Sequence, residues 1–373
     1  MIYFDNAATT MPSQAALNKA QKFNEEMFFN PSTLYRGGLV CAREIKVAKD
    51  SILKNLSTVN HEVIFTSCGS ESDNMAIFCA VKRGVFVTDK GEHSAVYKSF
   101  CELKNKGVKV EFIDLNPDGS VNENKLIDFV KNNQVDFVSI VHVSNETGAI
   151  NDINTIAKKI KAINKRIVFH SDGVQAYGKI PYKLSTDIDL YSISAHKINA
   201  LKGVGALIKR KGLNVSPLIF GGGQEGGFRS GTENVFGIKV FEYASQEKYE
   251  NIKQYYDTIS KIKEYIKNNL DKNLFKVISG ENSSPYILTV SAVGLRGEVI
   301  MHALEEKGLI IGNGSACSSK NRFSRVIEAC GYKNDVLDGV IRISFSTSST
   351  MEEAQISVKL LNETVNNLKG ILN

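Results

Sequence analysis

The sequence sets an aspartate and a lysine at the ends of two apolar runs. "RIVFHSD" ends at Asp172, and "DLYSISAHK" ends at Lys197, 25 positions further on. If both runs are strands of one sheet, the carboxylate and the amine reach its carboxyl edge, where open α/β sheets bind ligands. An Asp and a Lys are what pyridoxal 5'-phosphate (PLP) requires. The amine forms a Schiff base with the aldehyde, and the carboxylate keeps the ring nitrogen protonated so that the ring accepts electrons. The plainer alternative is a surface lysine and an aspartate that caps a helix.

Other residues could complete such a site. "TSCGSESDN" (66–74) follows the run "HEVIF" and opens a helical pattern. Small residues at a helix N-terminus let backbone N–H groups approach an anion. Ser70 adds a hydroxyl there, and it is also the expected N-cap, with Asp73 three residues on. His93 follows "VFVTD" at the start of another helical pattern, again at a strand's carboxyl end. It could stack on a cofactor ring or move protons. Finally, "IIGNGSACSSKNR" (310–322) holds Cys317 among glycines, serines and an alanine. A free cysteine is usually buried, so a thiol in a small-residue turn reads as reactive.

The remaining cysteines read as packing. Cys41 continues with Ile45, Ala48, Ile52 and Leu56 as one helical stripe. Cys79 and Cys101 sit among apolar neighbours in helical patterns, and Cys330 precedes Gly331 at a helix end. None of the six cysteines shows C-x-x-C spacing, so zinc and thioredoxin-like readings have no support. His61, His142, His170 and His302 are expected to be structural. No metal site is expected.

Composition bounds the setting. The chain has 373 residues, 42% of them hydrophobic, enough for more than one core. Net charge is +6, and the densest basic stretch, "KKIKAINKR" (158–166), carries no aromatic residues to stack on bases. It reads as a solvated helix face, and no direct nucleic-acid binding is expected. No apolar run reaches membrane-spanning length. "MIYFDNAATT" lacks the basic and apolar regions of a secretory signal, so cytoplasmic residence is the default.

These residues need elements to position them. Strand-like runs at 61–66, 84–89, 108–115, 135–143, 167–172, 189–195 and 203–210 alternate with helical patterns. Such alternation argues for an α/β fold with a mostly parallel seven-stranded sheet flanked by helices. A long helix is expected from Glu233 to about Leu270. Beyond it, "FKVIS", "YILTVSAV", "LII" and "VIRISFS" are strands of a smaller α+β unit. The expected division is a large unit over 15–249, and a small unit from 1–14 plus 250–373 that carries Cys317.

Taken in order, the motifs resemble one family. "YFDNAATT" (3–10), "NPSTLY" (30–35), "FTSCGSESDN" (65–74), "EH" (92–93) and "VHVSNETG" (141–148) come first. "HSDGVQ" (170–175), "SISAHK" (192–197), "GGGQEGGFRSGTEN" (221–234), "GSACSS" (314–319) and "IRISFS" (341–346) follow. Together they resemble the cysteine desulfurases of NifS type, in the class V aminotransferase group of fold-type I PLP enzymes. The resemblance implies that Lys197 is the Schiff-base lysine. Asp172 faces the ring nitrogen, Gln175 the ring hydroxyl, and His93 stacks on the ring. Gly69, Ser70, Ser194 and His196 hold the phosphate, and Asn145 touches cofactor and substrate. Asn30 and Arg342 position the substrate, with Arg342 gripping its carboxylate. Thr232 reaches the phosphate of a partner subunit, which implies a homodimer with shared active sites. Cys317 takes sulfur from L-cysteine as a persulfide, alanine leaves, and a sulfur-acceptor protein follows, for iron–sulfur assembly or for tRNA or cofactor thiolation.

Departures and alternatives stand beside this reading. Cys68 occupies a position where the family usually has glycine, and Gly226 one where an arginine is usual. The stretch after Cys317 is slightly short. Selenocysteine lyase, or another class V aminotransferase, shares the fold, although a plain aminotransferase does not need Cys317. A catalytically weak sulfur-relay or assembly subunit would keep the fold for partner binding alone.

Overall fold

The computed structural model describes residues 1–81, 83–313 and 323–372. Its strands are β1 (Ile2–Phe4), β2 (His61–Thr66), β3 (Val85–Asp89), β4 (Lys109–Ile113), β5 (Val135–Ser139), β6 (Val168–Asp172), β7 (Leu190–Ser194), β8 (Gly205–Arg210), β9 (Lys276–Val277), β10 (Ile287–Ser291), β11 (Leu309–Asn313) and β12 (Val340–Ser344). β2 through β8 build a seven-stranded sheet in the order β2-β8-β7-β6-β5-β3-β4. Every pairing from β7 to β4 is parallel, and β8 alone runs against its neighbours.

Alternation along these strands explains why helices cover both faces. Val63 and Phe65 of β2, Val138 of β5 and Phe169 of β6 enter one apolar core. Ile64, Phe137 and Val168, their neighbours in sequence, enter another on the opposite face. A strand apolar on both sides must be covered on both sides. The helix Arg36–Asn55 covers the first face with the expected stripe of Cys41, Ile45, Ala48 and Ile52.

β1 and β9 to β12 form a second sheet, in the order β1-β11-β12-β10-β9, with its own core. β1 pairs in parallel with β11, so the first residues of the chain close the edge of this sheet. The single helix expected over 233–270 is instead two helices, Val235–Glu250 and Ile252–Asn269, broken at Asn251 (φ −129°, ψ 22°). The cause is a change of core. Ile238, Val240, Phe241 and Ala244 pack on the large sheet's core, whereas Ile259, Ile262 and Ile266 pack on the small one. One straight rod cannot serve both stripes, and Asn breaks a helix cheaply. No helix among the described residues is long and apolar enough to cross a membrane.

Candidate active site

The sheet order brings the carboxyl ends of β3, β5, β6 and β7 to one edge. Asp172 is the last residue of β6, and Lys197 ends the short 3-10 turn that follows β7. The loops after β3 and β5 carry His93 and Asn145 to the same place. A cavity of about 340 Å³ opens there, lined by Gly69, Ser70, His93, Asn145, Asp172, Gln175, Ser194, His196, Lys197 and Arg342, together with Cys68 and Asp73. Ten expected site residues therefore meet in one cavity, although up to 273 positions separate them in sequence.

Two expected residues lie elsewhere. Asn30 and Thr232 are exposed, and neither lines the cavity. Asn30 folds onto its own segment, its Oδ1 accepting from Ser32 N at 2.9 Å. Exposed Phe28, Leu34 and Tyr35 surround it in sequence, and exposed Phe220 precedes the glycine-rich stretch of Thr232. Cys317 lies outside the described residues.

The helix Gly69–Cys79 points its N-terminus at the cavity. The expected cap at Ser70 is not formed. The N-cap is Cys68, which makes no side-chain cap hydrogen bond. Glu71 instead reaches back to Ser67, accepting from its N–H at 2.8 Å. Ser70 is thereby left to the first turn, facing the cavity. Gly69 is required by close approach. A Cβ there would stand 2.9 Å from Val174 Cγ2 and 3.4 Å from Ser194 Cβ.

Polar groups of the cavity show what would fill it. Ser194 Oγ is buried and has no hydrogen-bond partner among the described residues. A buried hydroxyl without a partner beside a helix N-terminus and a glycine suits a phosphate. At the other end, Asp172 Oδ1 accepts from Val174 N at 2.9 Å. Burial raises its pKa, while His93 and Lys197 pull it down. A cationic partner, such as a protonated ring nitrogen, would offset that burial. Asp73, His93 and Asp172 each offer an atom within 4.8 Å of the others. Asp73 is pushed well up, by burial first and then by the charge of Asp172. His93 is pushed down by burial, and its Nδ1 accepts from Ala95 N at 3.2 Å, which fits a neutral ring. His196 falls to about 4 through burial and the neighbouring lysines, and contacts Thr9 Oγ1 at 3.2 Å. The donor set fits PLP: a lysine, a buried acid, an amide and a phosphate cradle.

Residues 5–10 complete the wall, a role that the sequence did not reveal. Ala7 and Ala8 carbonyls accept from Lys197 Nζ at 2.7 and 2.6 Å. Asp5 Oδ1 accepts from Arg342 Nη2 at 2.7 Å, while Asn145 O accepts from Arg342 Nη1 at 3.0 Å. Arg342 Nε is buried and unpartnered among the described residues. Asp5 pairs with a residue 337 positions away, so no local signal could have marked it.

Most of the remaining histidines and cysteines are buried as expected, but His302 and Cys101 are not. His61, His142 and His170 are buried, and burial lowers His142 and His170 to about 3. His302 is exposed and faces Glu305. Cys41, Cys79 and Cys330 are buried, whereas Cys101 is only partly so.

Comparison with known proteins agrees with this geometry. The aminotransferase class-V family model matches residues 2–356. A cysteine desulfurase IscS of Dictyoglomus turgidum is 33% identical over 99% of this chain and 96% of its own length. A cysteine desulfurase of Nostoc sp. is 32% identical over 100% of this chain and 94% of its own. Among solved structures, a NifS-like protein superposes with a TM-score of 0.90 at 31% identity, covering 98% of this chain and 99% of that one. The matched model, the full-length relatives and the cavity together mean that the chain belongs to the class-V aminotransferase family, among its NifS-type cysteine desulfurases.

Proposed function

We propose that this protein takes sulfur from L-cysteine with PLP, yielding alanine and a persulfide on Cys317 that a second protein then accepts. The observation that carries the reading is one cavity facing Lys197, Asp172 and Arg342, beside the buried, unpartnered Ser194 hydroxyl. Gly69, Ser70, Ser194 and His196 would hold the phosphate, Asp172 the ring nitrogen, Gln175 the ring hydroxyl, and His93 the ring face. PLP supplies an aldehyde that joins the substrate amine and a ring that accepts the electrons released at Cα.

This chain's residues do the rest. Arg342 offers the substrate carboxylate a guanidinium already oriented by Asp5 and the Asn145 carbonyl. The Lys197 amine, held by two carbonyls, takes and returns the Cα proton. Neutral His93 keeps a ring nitrogen ready for proton movement. The Cys317 thiolate attacks the substrate sulfur, the carbon–sulfur bond breaks, and the sulfur remains as a persulfide. Thr232 would reach the phosphate of the partner subunit and Asn30 the substrate, across a homodimer with shared sites, and the exposed Phe28, Leu34, Tyr35 and Phe220 support such a contact. The division into 15–249 and 1–14 plus 250–373 is proposed on the two sheets and their two cores. Residence in the cytosol, where thiols stay reduced, suits a persulfide carrier.

The test is PLP titration followed by alanine and persulfide assays with L-cysteine. Cys317→Ala is expected to keep the visible cofactor band and form no persulfide. Sulfide and alanine release by that variant at the parent rate would overturn the assignment.

A further inference from the structure

Gln175 and Lys179 lie four positions apart in the turn-rich segment that follows β6. Both are buried, at 5% and 4% exposure. Lys179 Nζ donates to Gln175 Oε1 at 2.6 Å. Gln175 Nε2 donates to the Ala7 carbonyl at 2.9 Å, and that same carbonyl accepts from Lys197 Nζ at 2.7 Å. Three hydrogen bonds therefore join a buried lysine outside the cavity to the lysine inside it.

Lys179 is a costly residue to bury. No carboxylate pairs with it among the described residues, and its Nζ lies over the Tyr286 ring at 6.0 Å. Burial, and then Lys197, Arg342 and Lys248, push its pKa well down. Buried lysines without an ion pair are rare. An apolar side chain would fill this space more cheaply, unless the amine's hydrogen bond is used. Its acceptor is the oxygen of the amide that would meet the ring hydroxyl.

We propose that Lys179 is a positioning residue that fixes the Gln175 amide and, through the shared Ala7 carbonyl, the resting place of Lys197. Lys179 holds Oε1, and Ala7 holds one N–H of Nε2. The amide is thus fixed from both sides, with its second N–H left for the cofactor. A flipped amide would turn Oε1 against the Ala7 carbonyl and leave Lys179 without its acceptor.

The inference rests on the PLP reading and is tested by a four-corner cycle: parent, Lys179→Met, Gln175→Met and the double variant. The readouts are PLP affinity, by fluorescence titration, and the visible absorption maximum of the loaded protein. Lys179→Met is expected to weaken PLP binding about tenfold, as for a buried acceptor left unpaired, and to shift the visible maximum. In the Gln175→Met background the same change is expected to cost less than about twofold, because its only route of action is gone. Equal tenfold losses in both backgrounds, or an unchanged maximum, overturn the inference. If Lys179→Met does not fold, Lys179→Gln keeps an N–H donor and takes its corner. It is then expected to lose less than Gln175→Met does, and to lose nothing further when combined with it. A parent that binds no PLP sinks the function reading, whereas a parent that binds PLP with independent losses sinks only this step.

Discussion

Replacing Ser194 by alanine should push two measurements in opposite directions. The hydroxyl is 3% exposed as a residue and unpartnered among the described residues. A buried polar group left without a hydrogen bond costs about 1–3 kcal/mol. Alanine removes the oxygen and keeps the Cβ, so the PLP-free variant should equal the parent or gain about 1 kcal/mol. In a protein of this size that is a rise in Tm of about 1–2 °C. With a phosphate beside it the sign reverses. A hydrogen bond to a charged group is worth about 1.5–3 kcal/mol, which weakens PLP binding about 10- to 100-fold when lost. The assay pairs thermal melting of the PLP-free protein with PLP titration of parent and variant. A variant that melts several degrees lower yet binds PLP like the parent would refute the reasoning, because Ser194 would then be structural and the phosphate elsewhere.

Further outcomes follow from the same contacts. Gly312→Ala would put a Cβ 2.6 Å from Asp5 Oδ1 and 2.9 Å from Arg342 Nη2. Steady-state kinetics should show a KM for L-cysteine raised about tenfold or more, with a smaller loss in kcat, since a charged hydrogen bond is disturbed. Arg342→Lys keeps the charge but loses the two-pronged grip, so KM should rise as well, and an unchanged KM would place the carboxylate elsewhere. Asp89 is pushed up to about 7 by burial, above an unfolded value of about 3.9. Its contribution is therefore full below the unfolded value and is lost as pH rises through about 7. Asp89→Asn keeps an acceptor for Gly91 N. Its Tm should decline less than the parent's between about pH 4 and 7, and parallel melting curves would contradict the burial argument.

Sequence patterning carried the sheet and the heart of the site. β2 falls on "HEVIFT" because Val63, Ile64 and Phe65 alternate between two cores. Asp172 and Lys197 were legible because each ends an apolar run, and β6 and β7 are neighbours in the sheet. Where local pattern is silent, the reading was incomplete. Asn251 breaks a helical pattern only because two cores demand different faces. The cap at Cys68 rather than Ser70 depends on Glu71 turning back to Ser67. Asp5 and the Ala7 and Ala8 carbonyls matter through partners 189 to 337 positions away, and a backbone carbonyl carries no residue signature at all.

The strap formed by residues 5–10 also ties the site to the order of synthesis. β1 leaves the ribosome before every other strand, yet its partners Leu309–Ile311 emerge only after the large sheet, as does Ser344, which bridges Asp5. The large sheet is complete once β8 has emerged, and such a unit folds as soon as it is available. Until the last strands arrive, however, Ala7 and Ala8 have no sheet to brace them against Lys197. A nascent chain would thus present the lysine and the phosphate cradle without the wall that closes over them. Cofactor capture would then wait for the second sheet, and a ribosome-stalled fragment ending before β11 should release PLP far faster than one that includes β11 and β12.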